Sequence, residues 1–290
     1  MTREKSGTPN AEKIAEMIGR PAASLTEIET LLFPLIQYFD PHYHGIENVP
    51  ADKPTLFVAN HSVWSIADLM LPYGIRKHLD LHVRPLGDRM HFNPVAPQRT
   101  LFEKFGVVLG DRAVVRALMA DGQSILVFPG GAREVMKRHN EKYTLQWKKR
   151  VGFVKLALEG GYSITPIGVS GGDDIFDILL DAGHLLKTPL GKFLGTNMIA
   201  KKMLRGGEEV PQLVRGLGFS AIPRPQQFHF VFGKPIVLDG YQDRIDDEEA
   251  MLEARSLVAE QLMGQIETAH EYRSKGMKDA SWIRQMAANF

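Results

Sequence analysis

Short apolar runs alternate with helical patterns along most of the chain. Runs typical of buried strands cover residues 55–59, 81–85, 124–128, 163–169, 228–232 and 236–238, and a further short strand is expected within 102–112. Between these runs, apolar side chains recur at helical spacing in residues 68–75, 113–120 and 151–159. The alternation predicts an α/β fold with a mostly parallel central sheet flanked by helices.

Each end of the chain carries a longer helical pattern. In residues 25–39 the apolar side chains share one face, Ser24 and Glu27 predict a capping box, and Pro34 is expected to kink or interrupt the helix. This amphipathic segment either covers the core or touches a bilayer. Residues 247–272 predict a C-terminal helix with acidic residues in its first turn. We therefore expect a tail and an amphipathic helix over residues 1–40 and a single domain over 41–290.

One long stretch, residues 173–224, breaks the alternation. It mixes apolar residues with glycines and prolines, and an irregular stretch of this length inside a compact domain is usually functional or lid-like. Its basic residues predict contact with an anionic membrane surface. They are Lys187, Lys192, Lys201, Lys202 and Arg205.

The amino-acid composition excludes several classes of protein. With 44% hydrophobic residues the chain can bury a core, and its formal net charge of +1 argues against a nucleic-acid partner, which would need a basic excess. The absence of cysteine excludes disulfides, thiolate zinc sites and a cysteine nucleophile. No signal peptide is visible, and no apolar run approaches the ~20 residues of a membrane span. We expect a cytoplasmic protein that is soluble or peripherally bound to a membrane.

A polar turn, Asn60-His61-Ser62, follows the first apolar strand, and Asp68 lies shortly after it. A histidine at a strand end and a carboxylate downstream are the two side chains that a general base and its orienting partner require at least. His42 and His44 lie too far from a third ligand to indicate a metal, so they are interpreted as structural.

Three strand ends are predicted to meet at one edge of the sheet, where α/β proteins bind their ligands. They end in Asn60-His61, in Leu109-Gly110-Asp111-Arg112, and in Phe128-Pro129-Gly130-Gly131. The Pro-Gly-Gly turn leaves backbone amides open to a phosphate or a developing oxyanion. Arg112 and Arg133 offer forked donors to phosphate or carboxylate.

Together these segments resemble the glycerolipid acyltransferase superfamily, which includes the lysophosphatidic acid acyltransferases. Residues 45–50 are similar to the entry of its domain, 60–68 to its first motif, 106–112 to the second, 127–134 to the third and 164–167 to the fourth. The resemblance spans most of the chain, from about residue 45 to 236. The order and spacing of the motifs carry it, since each motif alone is weak.

Two departures from the family pattern change the expected chemistry. Six residues separate His61 from Asp68 where most members have four, so a longer turn or a helix must return Asp68 to His61. The third motif has Pro-Gly-Gly where many members have Pro-Glu-Gly, which resembles the diacylglycerol acyltransferase branch and the phytyl ester synthases. Gly130 is expected to leave a wider, less polar turn that favours neutral acceptors over lysophosphatidic acid.

The resemblance implies transfer of a fatty acyl group from acyl-CoA or acyl-carrier protein to the hydroxyl of a lipid or an alcohol. It implies His61 as the general base, Asp68 as its partner, and neither a metal nor a further cofactor. The residues expected to bind substrate are Arg112, Pro129, Gly130, Gly131, Arg133 and Glu134. A membrane surface is the expected partner.

A second motif supports a rival hypothesis. Residues 168–172 read Gly-Val-Ser-Gly-Gly and fit the G-x-S-x-G pattern of α/β-hydrolases, with Ser170 as nucleophile. The acid would be Asp181 or Asp239, and the histidine His229 or His270. No oxyanion segment of the HGGG type precedes the motif, and this hypothesis leaves His61, Arg112 and the Pro-Gly-Gly turn unexplained. A non-catalytic membrane-binding protein is a third possibility.

Overall fold

The structure is a computed structural model that describes residues 9–50, 52–92, 99–181, 188 and 212–289. Its strands are β1 (His42–His44), β2 (Thr55–Ala59), β3 (Val83–Gly87), β4 (Val108–Leu109), β5 (Ser124–Val127), β6 (Ser163–Ser170), β7 (Asp177–Leu180), β8 (Leu213–Arg215) and β9 (His229–Phe232). Its α-helices are α1 (Ala11–Gly19), α2 (Leu25–Phe39), α3 (Met70–Leu79), α4 (Arg99–Lys104), α5 (Arg112–Ala120), α6 (Ala132–Val135), α7 (Gly152–Gly160), α8 (Glu248–Asp279) and α9 (Trp282–Asn289).

The main sheet has the strand order β1-β9-β6-β2-β5-β3-β4. Every neighbouring pair is parallel except β6 with β9. Strand β2 lies in the middle, between β6 and β5, so the segments that follow these three strands emerge side by side at one edge. The predicted α/β fold with a mostly parallel sheet is confirmed.

The core lies on both faces of this sheet. Alternate side chains of β2 point to opposite faces, as the strand period requires. Phe57 and Ala59 pack with the buried side chains of α2 and α3, whereas Leu56 and Val58 pack with those of α5, α7 and α8. All five residues of β2 are buried, which is why it reads as a continuous apolar run.

Helix α2 begins at the predicted capping box, in which Ser24 and Glu27 bind each other's backbone N–H groups. The helix runs through Pro34 without interruption. Pro34 lies on the exposed side, where water can satisfy the Thr30 carbonyl that loses its helical partner. Ile28 and Leu32 are buried in the core, whereas Leu31 and Phe33 are 47% and 60% exposed. The helix therefore covers the core with one face, and its membrane contact stays a prediction.

The end of the chain differs from the sequence analysis in detail. Of the predicted strand over 236–238, only Ile236 forms a bridge, to Ile164, before a 3-10 turn begins at Asp239.

Strands β7 and β8 form a separate antiparallel pair within the irregular stretch. The lysines and the arginine predicted to contact a membrane, at positions 187, 192, 201, 202 and 205, lie outside the described residues. None of the described helices has both the length and the apolar character that crossing a bilayer requires.

Candidate active site

His61 and Asp68 meet at the end of the central strand β2. The His61 Nδ1 atom lies 2.6 Å from Asp68 Oδ2, with the two side chains 16% and 7% exposed. The second carboxylate oxygen, Oδ1, accepts hydrogen bonds from the N–H and the hydroxyl of Ser62, at 3.0 and 2.9 Å. Asn60 holds the turn to strand β6 by bonding both backbone polar groups of Val169. The carboxylate is thus fixed on one ring nitrogen of the histidine.

The longer spacing between His61 and Asp68 is absorbed by two short 3-10 turns, Val63–Ser65 and Ala67–Leu69. Trp64 and Ser65 adopt left-handed backbone conformations, with φ of 58° and 56°. Such values are uncommon for residues other than glycine. A compact, strained loop therefore returns Asp68 to His61, where the sequence predicts either a longer turn or a helix.

The contact with Asp68 decides which nitrogen of His61 is reactive. An ionised carboxylate only accepts hydrogen bonds, so Nδ1 carries the proton and Nε2 holds the lone pair. Phe128, directly after strand β5, stacks on the imidazole with ring centroids 4.1 Å apart and planes 14° apart. The ring is therefore fixed in orientation, and Nε2 is the candidate base.

The Pro-Gly-Gly turn lies beside His61 because β5 neighbours β2. Arg150 donates to the carbonyls of both Pro129 and Gly130, and the Gly131 N–H bonds the Phe128 carbonyl at 3.0 Å. These contacts fix the direction of the peptides in the turn. Within the described part of the chain the N–H groups of Gly130 and Ala132 have no acceptor. They are candidates for stabilising an oxyanion.

Glu134 lies inside the protein rather than in the crevice, which differs from its predicted role in substrate binding. Its fully buried carboxylate accepts the His61 N–H at 3.1 Å and the Gln146 N–H at 2.8 Å. Burial is the main cause that raises its pKa. A Cβ added at Gly130 would overlap the carboxylate carbon of Glu134. The expected wide, less polar turn is therefore absent, because Glu134 fills the space beside Gly130.

Arg133 also points away from the crevice. Its guanidinium binds both carboxylate oxygens of Glu141, at 2.5 and 2.7 Å, and the Met136 carbonyl, with the side chain only 8% exposed. A forked donor that is fully engaged by a protein carboxylate is not available to a substrate phosphate. Arg133 thus fixes the segment after α6, in contrast to its predicted contact with substrate.

Arg112 lines a cavity of about 510 Å³ together with Phe128 and Pro129. Strand β4 lies at the edge of the sheet, two strands from β5, so the three predicted strand ends do not converge at one point. Arg112 instead reaches the shared cavity as the exposed first residue of α5, which Asp111 caps. The other cavity walls are mostly apolar, with Lys149 and Arg150 as further cations and Asp111 as an acid. They include Leu56, Leu86, Val115, Phe153 and Leu156.

Several residues at the site were not found by sequence reasoning. Lys137 donates to the His61 carbonyl at 2.7 Å, and Asp173 accepts the Val63 N–H at 2.9 Å. Phe128 lies in a predicted strand end, but its stacking on the histidine ring was not predicted, nor were the bonds of Arg150 to the Pro-Gly-Gly turn. The polar Gly-Gly-Asp-Asp run at 171–174 was a possible signal for Asp173, whereas Lys137 follows no pattern that would single it out.

The rival nucleophile Ser170 is fully buried in strand β6. Its hydroxyl lies 2.8 Å from His270 Nδ1, so one predicted pairing does form. Ser170 continues the strand and pairs with His229 of β9, however, which differs from the sharp, exposed turn of a hydrolase nucleophile. Of the proposed acids, Asp181 is buried and accepts the His139 N–H, and Asp239 begins a 3-10 turn.

The glycines of this motif have structural explanations. A Cβ at Gly168 would overlap the backbone of α8 at Gln265, and Gly171 has a φ of 98°. A Cβ at Gly172 would meet the Cβ atoms of Ser62 and Ala67. The pattern therefore reflects close packing of α8 and of the His61 turn against the end of β6, rather than a nucleophile.

Comparisons with known proteins agree with the family indicated by the motifs. Residues 40–170 match the family model described as Acyltransferase. The chain is 28% identical to phytyl ester synthase 2, chloroplastic, of Arabidopsis thaliana over 214 residues, which are 71% of this chain and 30% of that protein. It is 27% identical to the human DGAT1/2-independent enzyme synthesizing storage lipids over 124 residues, 43% of this chain and 38% of that one. The chain thus spans less than two fifths of the length of these relatives.

A crystal structure of the 1-acyl-sn-glycerophosphate (LPA) acyltransferase PlsC from Thermotoga maritima superposes with a TM-score of 0.44 and 16% identity, over 82% of this chain and 79% of that one. This similarity is too low to carry a conclusion about the site. The family match and the sequence relatives support the similarity to the glycerolipid acyltransferase superfamily that the motifs indicate.

Proposed function

We propose that this protein transfers a fatty acyl group from an acyl thioester to the hydroxyl of a lipid or a long-chain alcohol. The observation that carries the proposal is the His61–Asp68 pair, which orients an imidazole with a 16% exposed side chain at the end of the central strand. The match of residues 40–170 to the Acyltransferase family model supports the reaction class.

The geometry accommodates a direct transfer without an acyl-enzyme. Neutral His61 takes the proton of the acceptor hydroxyl at Nε2 while the hydroxyl oxygen forms a bond to the thioester carbonyl carbon. Asp68 stabilises the imidazolium that forms. The N–H groups of Gly130 and Ala132 would bind the oxyanion. When the intermediate collapses, the carbon–sulfur bond breaks and the imidazolium returns its proton to the departing thiolate.

The donor would use the cavity beside Phe128. Its apolar walls suit an acyl chain. The three cations on its lining, Arg112, Lys149 and Arg150, suit the phosphate groups of a donor such as acyl-CoA or acyl-carrier protein. The cavity volume of about 510 Å³ lies within the range of small-molecule sites.

The acceptor would be a neutral alcohol. Two relatives support this choice, one named as a phytyl ester synthase and one as an enzyme synthesizing storage lipids. The Pro-Gly-Gly turn does not support it, because Glu134 fills the space beside Gly130. Because such acceptors are held in membranes, we also propose peripheral contact with a bilayer. The exposed side chains of Leu31 and Phe33 on α2 support it.

The test is an acceptor panel with the purified full chain. Labelled acyl-CoA or acyl-carrier protein is offered with diacylglycerol, phytol, a saturated long-chain alcohol or lysophosphatidic acid in mixed micelles, and both the ester and free fatty acid are measured. We expect ester formation with a neutral alcohol that disappears in His61→Ala. A clear preference for lysophosphatidic acid would overturn the acceptor, and release of fatty acid alone would favour a hydrolase.

A further inference from the structure

The turn that carries His61 has to be held by the rest of the protein. It contains two more residues than the spacing in most family members, and Trp64 and Ser65 adopt backbone conformations that non-glycine residues avoid. Strain of this kind persists only where surrounding groups determine the conformation. The contact between Asp68 and Ser62 comes from within the turn itself, so it does not fix the turn relative to the sheet.

Two buried residues from distant segments hold this turn. Lys137, just after α6, donates from Nζ to the His61 carbonyl at 2.7 Å and to Asp173 Oδ2 at 2.6 Å. Asp173, just after β6, accepts the Val63 N–H on its other oxygen at 2.9 Å. The exposed fractions of the two side chains are 0% and 1%. The pair thus binds the backbone on both sides of Ser62.

A fully buried ion pair is a poor source of stability, because desolvation offsets most of the attraction between its charges. Apolar residues of similar size would fill the same space with less loss of hydration. The pair therefore contributes mainly by fixing the position of the backbone groups that it binds. Asp173 also accepts the Tyr143 N–H at 2.7 Å, which ties the pair to the loop on its other side.

We propose that Lys137 and Asp173 are positioning residues of the acyl-transfer site, which hold the His61–Val63 backbone so that the His61 ring meets Asp68 and faces the substrate. The proposal rests on the role of His61 as the base. It assigns no contact with substrate to either residue. Glu134 is a third member of the same arrangement, because it holds the His61 N–H.

The first test does not depend on activity. The short Nδ1–H bond between His61 and Asp68 should give a downfield proton resonance, identified by its loss in His61→Ala. We expect Lys137→Met to remove or broaden that resonance. The matched control is Arg224→Met, which removes another buried cation, paired with Asp177 at 2.6 Å in the β7–β8 region. The control should retain the resonance.

The second test measures rates. Displacing the turn by about 1 Å should lower kcat about a hundredfold in Lys137→Met, while KM changes less than about threefold. The double variant Lys137→Met/Asp173→Leu removes both charges and so avoids an unpaired buried carboxylate. It should fold, as judged by cooperative thermal unfolding, yet show the same loss of resonance and rate.

Each outcome is decisive. A folded single or double variant that keeps the resonance and the wild-type kcat overturns the proposal. Failure of both variants to fold also overturns it, because the pair would then be required by the fold as a whole. Loss of the resonance in a protein whose wild type transfers no acyl group would preserve the positioning role and reject the proposed function.

Discussion

His61 follows strand β2, and His270 of helix α8 contacts the last residue of the neighbouring strand β6; each has a hydrogen bond at Nδ1, but their surroundings differ. His61 binds a carboxylate and stacks on Phe128. His270 binds the hydroxyl of Ser170, which is fully buried in a strand. Burial lowers the pKa of His270. A histidine near a hydroxyl is therefore insufficient to define a hydrolase: Ser170 is fully buried, and only His61 of the two has its Nδ1 bound to a carboxylate.

The largest expected effect is on His61. His61→Ala should lower kcat by at least about a thousandfold, because removal of a triad-like base has effects of this size. The variant should still unfold cooperatively, since Ser62 continues to hold the Asp68 carboxylate. Initial rates of ester formation measure the loss. Near-normal transfer by a folded His61→Ala protein would reject the mechanism.

The next effect concerns the carboxylate. Asp68→Asn should lower kcat by at least about a hundredfold, because the amide can donate to Nδ1 and stabilise the wrong tautomer. The neutral amide oxygen also accepts the hydrogen bonds of Ser62 more weakly than a carboxylate does. A small drop in melting temperature should therefore accompany the loss of rate. The pH profile of kcat/KM distinguishes this tautomer effect from a simple loss of folded protein.

Buried histidines on the α8 side of the sheet should make the fold sensitive to acid. Desolvation, with the neighbouring His42, His44 and Arg273, lowers the pKa of His229 to about 3. The unfolded chain gains a proton near the ordinary pKa of 6.5 while folded His229 stays neutral, so its contribution to stability is present above pH 6.5 and is lost as the pH falls towards 3.

Between pH 7.5 and 5 this residue should lower the free energy of unfolding by about 2 kcal/mol. Urea denaturation at the two pH values measures the change. In His229→Gln the corresponding part of the pH dependence should vanish. An unchanged slope in that variant would assign the acid sensitivity to other groups.

The smallest effect is expected at the rival site. Ser170→Ala removes one hydroxyl bond to His270 and should leave the rate of acyl transfer within about threefold of wild type, with stability lowered by about 1 kcal/mol. A hydrolase would lose all activity. Parallel assays of ester formation and fatty-acid release in Ser170→Ala and His61→Ala therefore separate the two sites.

The local pattern of apolar residues predicts the strands and helices of this fold, because buried side chains recur at a different spacing in each type of element. The run over Thr55–Ala59 is buried on both sides, and the capping box at Ser24 and Glu27 forms as expected. The bridge at Ile236 shows the limit, since a short apolar run does not determine whether a full strand can pair. Its neighbour Pro235 lacks the N–H that a continuous ladder requires.

The predicted strand ends brought the Pro-Gly-Gly turn beside His61, but contacts between individual side chains were predictable only where the residues are close in sequence. His61 and Asp68 lie within one turn, and the structure brings them together. Lys137 and Asp173 reach the same turn from 76 and 110 residues away, so no spacing rule connects them to it. Arg133 and Glu134 illustrate the opposite problem: their place in a motif says nothing about which way their side chains point, and both point inward.

Gly130 and Glu134 share one space in the Pro-Gly-Gly turn, so the residue at one position limits the residue at the other. One carboxylate fits in this space, and Glu134 supplies it. Adding glutamate at 130 alone would crowd two acids into one buried space, and removing Glu134 alone would leave the His61 and Gln146 N–H groups unpaired. A substitution at either position is therefore expected to need a compensating change at the other.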